Sequence, residues 1–322
     1  MEDWRRHVKH ISILIFGAVV IFLFYHNSKR KSEAWEPAPE PDNYHVPYPG
    51  NYKFIMDETQ TCQKTTPFLV LMVQIAPFDV AARDAIRRMW GSEKLVLGQL
   101  VETLFILGLP GGADAEQQQK KLEQENQQHH DLIQSDFQDS YGNLTIKTMT
   151  MLEWLSAYCV KASFAMKIDS DMFLHVPNLV KLLLDSNSSK ALNYMTGLVW
   201  WHSPVLRDQS NKFYMPKTVF AEPEYPPYPL GMAYVMSLDL PRKILEVSSH
   251  IKPIFIEDVY LGMCLKRLGI SPTDPPAKTM FLVDPVHPLS TCYLSKVIAM
   301  TTTSIPQMKS YWERSRQPDA KC

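Results

Sequence analysis

The chain has 322 residues, 45% of them hydrophobic, and a formal net charge of −1. That is room for one sizeable globular domain or two fused subdomains, and the balanced charge excludes the basic excess that nucleic-acid binding requires. With 12 glycines against 24 prolines, connections are expected to be fixed turns rather than flexible linkers.

Residues 1–10, MEDWRRHVKH, precede an uncharged run from Ile11 to Tyr25. As helix this run spans about 22 Å, short of a bilayer core of roughly 30 Å, although thin membranes of the early secretory pathway tolerate short spans. HNSKRKSEAWEP, which follows, offers no A-x-A-like cleavage site. Residues 11–26 therefore read as an uncleaved signal-anchor transmembrane helix behind a cytoplasmic tail, 1–10. A cleaved signal peptide and a buried core helix are the rivals. Basic residues flank the run on both sides and do not orient it. Two sequons, at Asn143 and Asn187, and all five cysteines lie beyond it, which favours a lumenal, oxidising location. Spacing does not give the disulfide pairing. The expectation is Cys62–Cys159 and Cys264–Cys292, with Cys322 left over. Residues 27–60, rich in proline and charge, read as a lumenal stem, leaving 61–322 as the folded domain.

That domain opens with PFLVLMVQIA (67–76), a continuous apolar run of the kind found in strands covered on both faces. DVAARDAIRRMWG (79–91) reads as a helix with Asp79 as N-cap. VETLFILG (101–108) is the second strand. ADAEQQQKKLEQENQQHHD (113–131) is an exposed helix, and LTIKTMTMLEWLSAYCVKA (144–162) has helical periodicity. SFAMKI (163–168) is the next strand. The alternation predicts a three-layer α/β/α domain around a mostly parallel sheet. No internal repeat or heptad array is present.

Asp169 and Asp171 follow that last strand directly. In open α/β sheets ligands bind beyond the carboxyl ends of the strands. Alternate residues of an extended chain point the same way, so both carboxylates can face one ligand, and their oxygens suit hard Mg²⁺ or Mn²⁺. A turn capped by aspartate is the alternative reading.

Five segments in order, RDAIRRMWG (83–91), DLIQSDFQDSYGNLTIKT (131–148), KIDSDMF (167–173), YPPYPLGMAYVMS (225–237) and IEDVYLGMCLKRLGI (256–270), resemble the β-1,3-glycosyltransferase family, Golgi type II enzymes. The resemblance spans roughly residues 66 to 312. It implies a GT-A-like nucleotide-sugar transferase domain. In KIDSDMF it implies a Mn²⁺ site that holds the UDP diphosphate through the metal, with Asp171 as direct ligand, Asp169 on the metal or the ribose, and Ser170 beside the cofactor. Two carboxylates beside a diphosphate repel it unless a cation intervenes. It assigns the donor side to Arg83, Arg87, Asp136, Asp139 and Lys147, with ordinary surface or structural ion pairs as the alternative for the arginines and Lys147. It implies inversion, with Asp258 taking the proton of the acceptor hydroxyl and Glu257 as the neighbouring candidate. Acidic residues at a helix start are the bland reading of that pair. Tyr225, Tyr228 and Gly231 are implied for the acceptor, and Trp200 and Trp201 stand between sugar contact and core.

The sequence departs from the family pattern where Thr302 occupies the position of a metal-site histidine. His175 replaces an asparagine, and Met89 and Ala233 stand where threonine and glycine are usual. His287 is near Thr302 in sequence but is not at the motif position. Ser170 favours the galactosyl branch, hence UDP-galactose as donor and the 3-hydroxyl of a terminal β-GlcNAc or GalNAc on a glycoprotein or glycolipid as acceptor. UDP-GlcNAc transfer, an inactive lectin- or chaperone-like member and a glycosidase are the competing readings. The membrane and an optional second copy of the chain complete the expected partners.

Overall fold

The computed structural model describes residues 44–185, 192–285 and 289–317. Among these, no helix is long and apolar enough to cross a membrane. The expected tail and signal-anchor, Asn187, His287 and Cys322 lie outside the described residues.

Eleven strands are described. The main sheet runs β1 (Phe54–Met56), β5 (Leu132–Gln138), β4 (Gln99–Leu109), β2 (Leu69–Gln74), β6 (Phe164–Asp169), β9 (Tyr228–Ser237), β8 (Met195–Trp200), with β3 (Leu95–Val96) beside β4. The four central strands β5, β4, β2 and β6 are mutually parallel. β1, β9 and β8 pair antiparallel at the flanks, so the sheet is mixed. A smaller sheet orders β10 (Phe281–Leu282), β11 (Ala299–Thr301) and β7 (Met172–Leu174).

β2 shows why its sequence is uninterruptedly apolar. Leu69, Leu71 and Val73 enter a core with Ala82, Ala85 and Ile86 of helix α1 (Val80–Arg88). Val70 and Met72 enter a second core on the opposite face. There they meet Met149 and Leu152 of α2 (Leu144–Tyr158) and residues of α3 (Leu240–Ser248) and α4 (Glu257–Arg267). Helices on both faces make the three expected layers. Asp79 caps α1 as predicted, accepting the Ala82 N–H at 3.1 Å. The polar segment is a helix, Ala115–His129, that buries only Leu122.

Two expectations change. The stem does not extend to residue 60: Tyr44, Val46 and Tyr48 are buried, Val46 and Phe255 exchange backbone bonds with Pro253 and Tyr44, and β1 joins the sheet. The aromatic side chains of this proline-rich stretch supply the apolar area that a free stem lacks. Cys62–Cys159 forms as expected, with Cα atoms 5.1 Å apart. Cys264–Cys292 does not: Cys264 is a free thiol buried in α4, its pKa pushed up to about 12 by burial, while Cys292 is itself disulfide-bonded.

The Cys62–Cys159 bond closes a stretch of 97 residues that includes β2, β4 and β5. Cys62→Ser is expected to cost about 2–5 kcal/mol of stability. Chemical denaturation of the variant and of the parent chain measures it, and equal midpoints would contradict the cross-link's role.

Candidate active site

A cleft of about 860 Å³ lies along the carboxyl ends of β2, β4 and β6. The chain leaves β6 at Asp169, turns through Ser170 and Asp171, and enters β7 of the small sheet at Met172. The turn is thus held from both sheets. Thr302 completes the hold: its N–H and its hydroxyl both donate to the Asp171 carbonyl, at 2.8 and 2.7 Å. The position that the family pattern gives to histidine is therefore at the turn, with its hydroxyl engaged by backbone.

β9 pairs antiparallel with β6 and continues past its end. That brings Gly231 to the cleft. A side chain there would push on both acids: a Cβ would lie 2.9 Å from Glu257 Oε2 and 3.3 Å from Asp258 Oδ2. The Gly231 N–H donates to Asp258 Oδ2 at 2.8 Å, and Val259 N–H donates to the other oxygen at 2.9 Å. Both acids open helix α4, where the helix dipole favours negative charge. Glu257 is the more enclosed. Its Oε1 accepts from Tyr234 at 2.7 Å and from Thr148 at 2.9 Å, and Thr148 in turn accepts from Gln74 at 2.7 Å.

Two lysines lie beneath the cleft. Lys147 pairs with Asp139 at 2.7 Å and donates to the Ile75 carbonyl. Lys167 pairs with Asp169 at 2.6 Å and donates to the Gly231 carbonyl. Six carboxyl groups border the cleft against these two ammonium groups. Asp79 is used as a helix cap, and two more acids are matched by the lysines. Asp171, Glu257 and Asp258 have no cation in direct contact among the described residues.

The pKa directions follow from this imbalance. Burial, then the charge of Asp169, raises Asp171. Burial raises Asp258 against the bonds from Gly231 and Val259. Burial pushes Glu257 to about 7 against Lys167 and its two hydroxyl donors, with Asp258 adding to the rise. Burial lowers Lys147, with Asp139 opposing. Burial alone would lower Lys167 too, but Asp169, Glu257 and Asp258 together raise it.

The structure brings together Asp139, Lys147, Asp169, Ser170, Asp171, Gly231, Glu257 and Asp258 of the expected residues. It leaves out the rest. Arg83 is fully buried; it binds Glu125 at 2.7 Å and donates to the Ala76 and Pro77 carbonyls, which border the cleft. Arg87 is paired with Glu125, Asp131 and Asp84. Both arginines are held in ion pairs on the α1 side of the scaffold, and neither lines this cleft. Asp136 faces away from the cleft and accepts the Lys53 N–H at 2.7 Å. Tyr225 and Tyr228 are buried under the wall, the first against Phe220 and the second hydroxyl-bonded to Ser203. Trp200 and Trp201 are half-exposed and outside the cleft, while Trp90 is fully buried. His175 caps a helix by accepting the Asn178 N–H.

Residues not anticipated are Lys167, Thr148, Tyr234 and Phe213, whereas Tyr141 belongs to the DSYGNLTIKT block that the resemblance assigns to the donor side. Lys167 carried a signal: a lysine inside the buried strand FAMKID is costly unless paired. Tyr141 borders the cleft, and Lys212 lies over its ring at 5.8 Å and over Phe213 at 4.7 Å. Asn143 is half-buried, its amide donating to the Gln138 carbonyl at 2.8 Å. The Thr145 hydroxyl is buried and donates to Ile254.

A divalent cation fits this turn through donor chemistry. Asp171 and Asp169 offer hard carboxylate oxygens beside a surplus of negative charge. Among the described residues, no group of three or more His, Cys, Asp or Glu side chains converges as a metal cage.

The family model described as galactosyltransferase matches residues 81–276. Human β-1,3-galactosyltransferase 2 is 36% identical over 277 residues, 86% of this chain and 64% of that protein. Mouse β-1,3-galactosyltransferase 1 is 36% identical over 275 residues, covering 85% of this chain and 82% of that protein. A solved glycosyltransferase involved in glycosylation of the PBCV-1 major capsid aligns with a TM-score of 0.42 at 9% identity, over 77% of this chain and 99% of that one. So loose a likeness carries no weight for the site.

Glu257 yields a pH prediction. The folded state keeps a proton to about pH 7 that the unfolded chain releases near 4.5. Between those values stability falls as pH rises, by up to about 3 kcal/mol. Glu257→Gln should remove that fall, leaving the variant the more stable of the two near pH 8; unfolding curves at pH 5 and pH 8 measure it, and parallel behaviour of the two proteins would refute it.

Proposed function

The chain belongs to the galactosyltransferase family, and on that footing we propose that it is an inverting β-1,3-galactosyltransferase using UDP-galactose. The observation that carries this reading is the cleft itself: two carboxylates on a strand-end turn face a buried helix-start carboxylate across one cavity. Asp171 and Asp169 would hold Mn²⁺. Bound there, the cation neutralises charge on the leaving diphosphate. Asp258 takes the proton of the acceptor 3-hydroxyl as that oxygen attacks the anomeric carbon and the bond to UDP breaks. The raised pKa of Asp258 makes it a stronger base than a free aspartate. Its two backbone donors keep it aimed. Gly231 lets β9 run close against both acids, and Lys147 with Asp139 braces the donor side.

The acceptor reading is a terminal β-GlcNAc or GalNAc of a glycoprotein or glycolipid, and the location a type II Golgi membrane anchor with the domain in the lumen. The Cys62–Cys159 bond supports an oxidising compartment. A second reading has one specific observation in its favour. Thr302 supplies no imidazole at the turn, as in a member that binds UDP with metal and transfers nothing.

Release of UDP by the full chain distinguishes the two. Mn²⁺-dependent, acceptor-stimulated release from UDP-galactose is expected, with Asp258→Asn slower by about 10²-fold or more and donor binding retained. Asp171→Ala should lose Mn²⁺-dependent donor binding, read by calorimetry. Normal transfer by Asp258→Asn would remove that residue from the role of base. Metal-dependent UDP binding without release in the parent chain would leave the second reading standing.

A further inference from the structure

Lys167 is 3% exposed on the central strand β6. Removing an ammonium group from water costs several kcal/mol unless partners replace the solvent, so its contacts explain its presence. There are two, and they belong to opposite sides of the cleft. One is Asp169 Oδ1, at 2.6 Å, on the turn read here as the donor side. The other is the backbone carbonyl of Gly231 on β9. The same glycine's N–H holds Asp258 Oδ2 at 2.8 Å. A continuous chain of polar contacts thus runs from Asp169 through Lys167 and Gly231 to Asp258. The pairing of β6 with β9 stops at Ile168 and Ala233, so beyond that point the backbone ladder no longer fixes Gly231 against β6. The lysine takes over where the ladder ends. Its ammonium nitrogen lies 6.0 Å from the centroid of the Tyr234 ring, whose hydroxyl holds Glu257.

We propose that Lys167 is a positioning residue that locks the donor-side turn and the Asp258 side of the cleft into one geometry by bridging Asp169 and Gly231. The proposal rests on the assignment of Asp258 as base and of the Asp169 turn to the donor. Its structural half stands without either: remove the ammonium group, and β9 beyond Ala233 loses its tie to β6. The charged groups that face the ammonium are Asp169, Glu257 and Asp258, with Lys147 at greater range.

Lys167→Met in the full chain is the test, with two readouts. Hydrogen exchange should quicken in segments 228–233 and 256–260 while β2 (69–74), deep in the same sheet, stays protected. With UDP-galactose and a β-GlcNAc acceptor, kcat should fall by roughly 10²-fold, the loss expected of a misplacement near 1 Å at a reacting group. Unchanged exchange in 228–233 would overturn the proposal, and so would exchange that quickens throughout the sheet, which would make Lys167 a general fold residue. Exchange that quickens locally with kcat unchanged would also overturn it. Should the parent chain transfer nothing from UDP-galactose, the functional reading falls on that result, and the exchange experiment still decides for or against the bridge.

Discussion

The cleft depends on one strand pairing. β6 and β9 run antiparallel at the point where the sheet changes from parallel to mixed. Because they are antiparallel, the end of one lies beside the earlier part of the other. The end of β6 delivers the Asp169–Asp171 turn, and β9 delivers Gly231 beside it. Helix α4 packs on β9 and sets Glu257 and Asp258 against that glycine. A parallel partner at this position would have carried its own loop away from the turn. Residues 60 to 90 positions apart in sequence meet for this reason alone.

The second constraint is electrostatic. The cleft gathers more acids than cations and encloses several of them. Each enclosed carboxylate costs free energy that its neighbours only partly offset. Hydroxyls at Glu257, backbone amides at Asp258 and ammonium groups at Asp139 and Asp169 are the compensations. The surplus that remains is where an approaching cation gains most. Arg83, fully buried, and Arg87, partly so, are each held by carboxylates.

Much of this was legible in the residues. The apolar run around β2, the cap at Asp79 and the two aspartates at the end of β6 are local patterns, and local patterns survive folding. The acidic pair opening α4 stands in the segment IEDVYLGMC that carries the resemblance, but the burial of Glu257 was not legible there. What was not legible depended on distant partners. Nothing near Arg83 in sequence announces Glu125, 42 positions on. Tyr225 and Tyr228 read as sugar platforms because aromatic rings suit sugars, but tertiary packing turned them inward. β5 was missed because LIQSDFQ mixes polar and apolar residues, as suits a strand whose outer neighbour is only the short β1. The stem boundary was misplaced because proline and charge suggested solvation, while the tyrosines among them found a core.

The engaged sequon at Asn143 has a consequence in time rather than in space. In the folded chain its amide is bonded to Gln138 and the hydroxyl two residues on is buried against Ile254. A transferase must reach both groups to attach an oligosaccharide. The first contact is local, 143 with 138, while the second joins 145 with 254 and cannot form until residue 254 has been synthesised. Any attachment at Asn143 would therefore have to precede the docking of Thr145 on residue 254. The fraction of molecules carrying sugar there would then act as a clock, set by how fast the chain elongates and closes relative to how fast sugar is added.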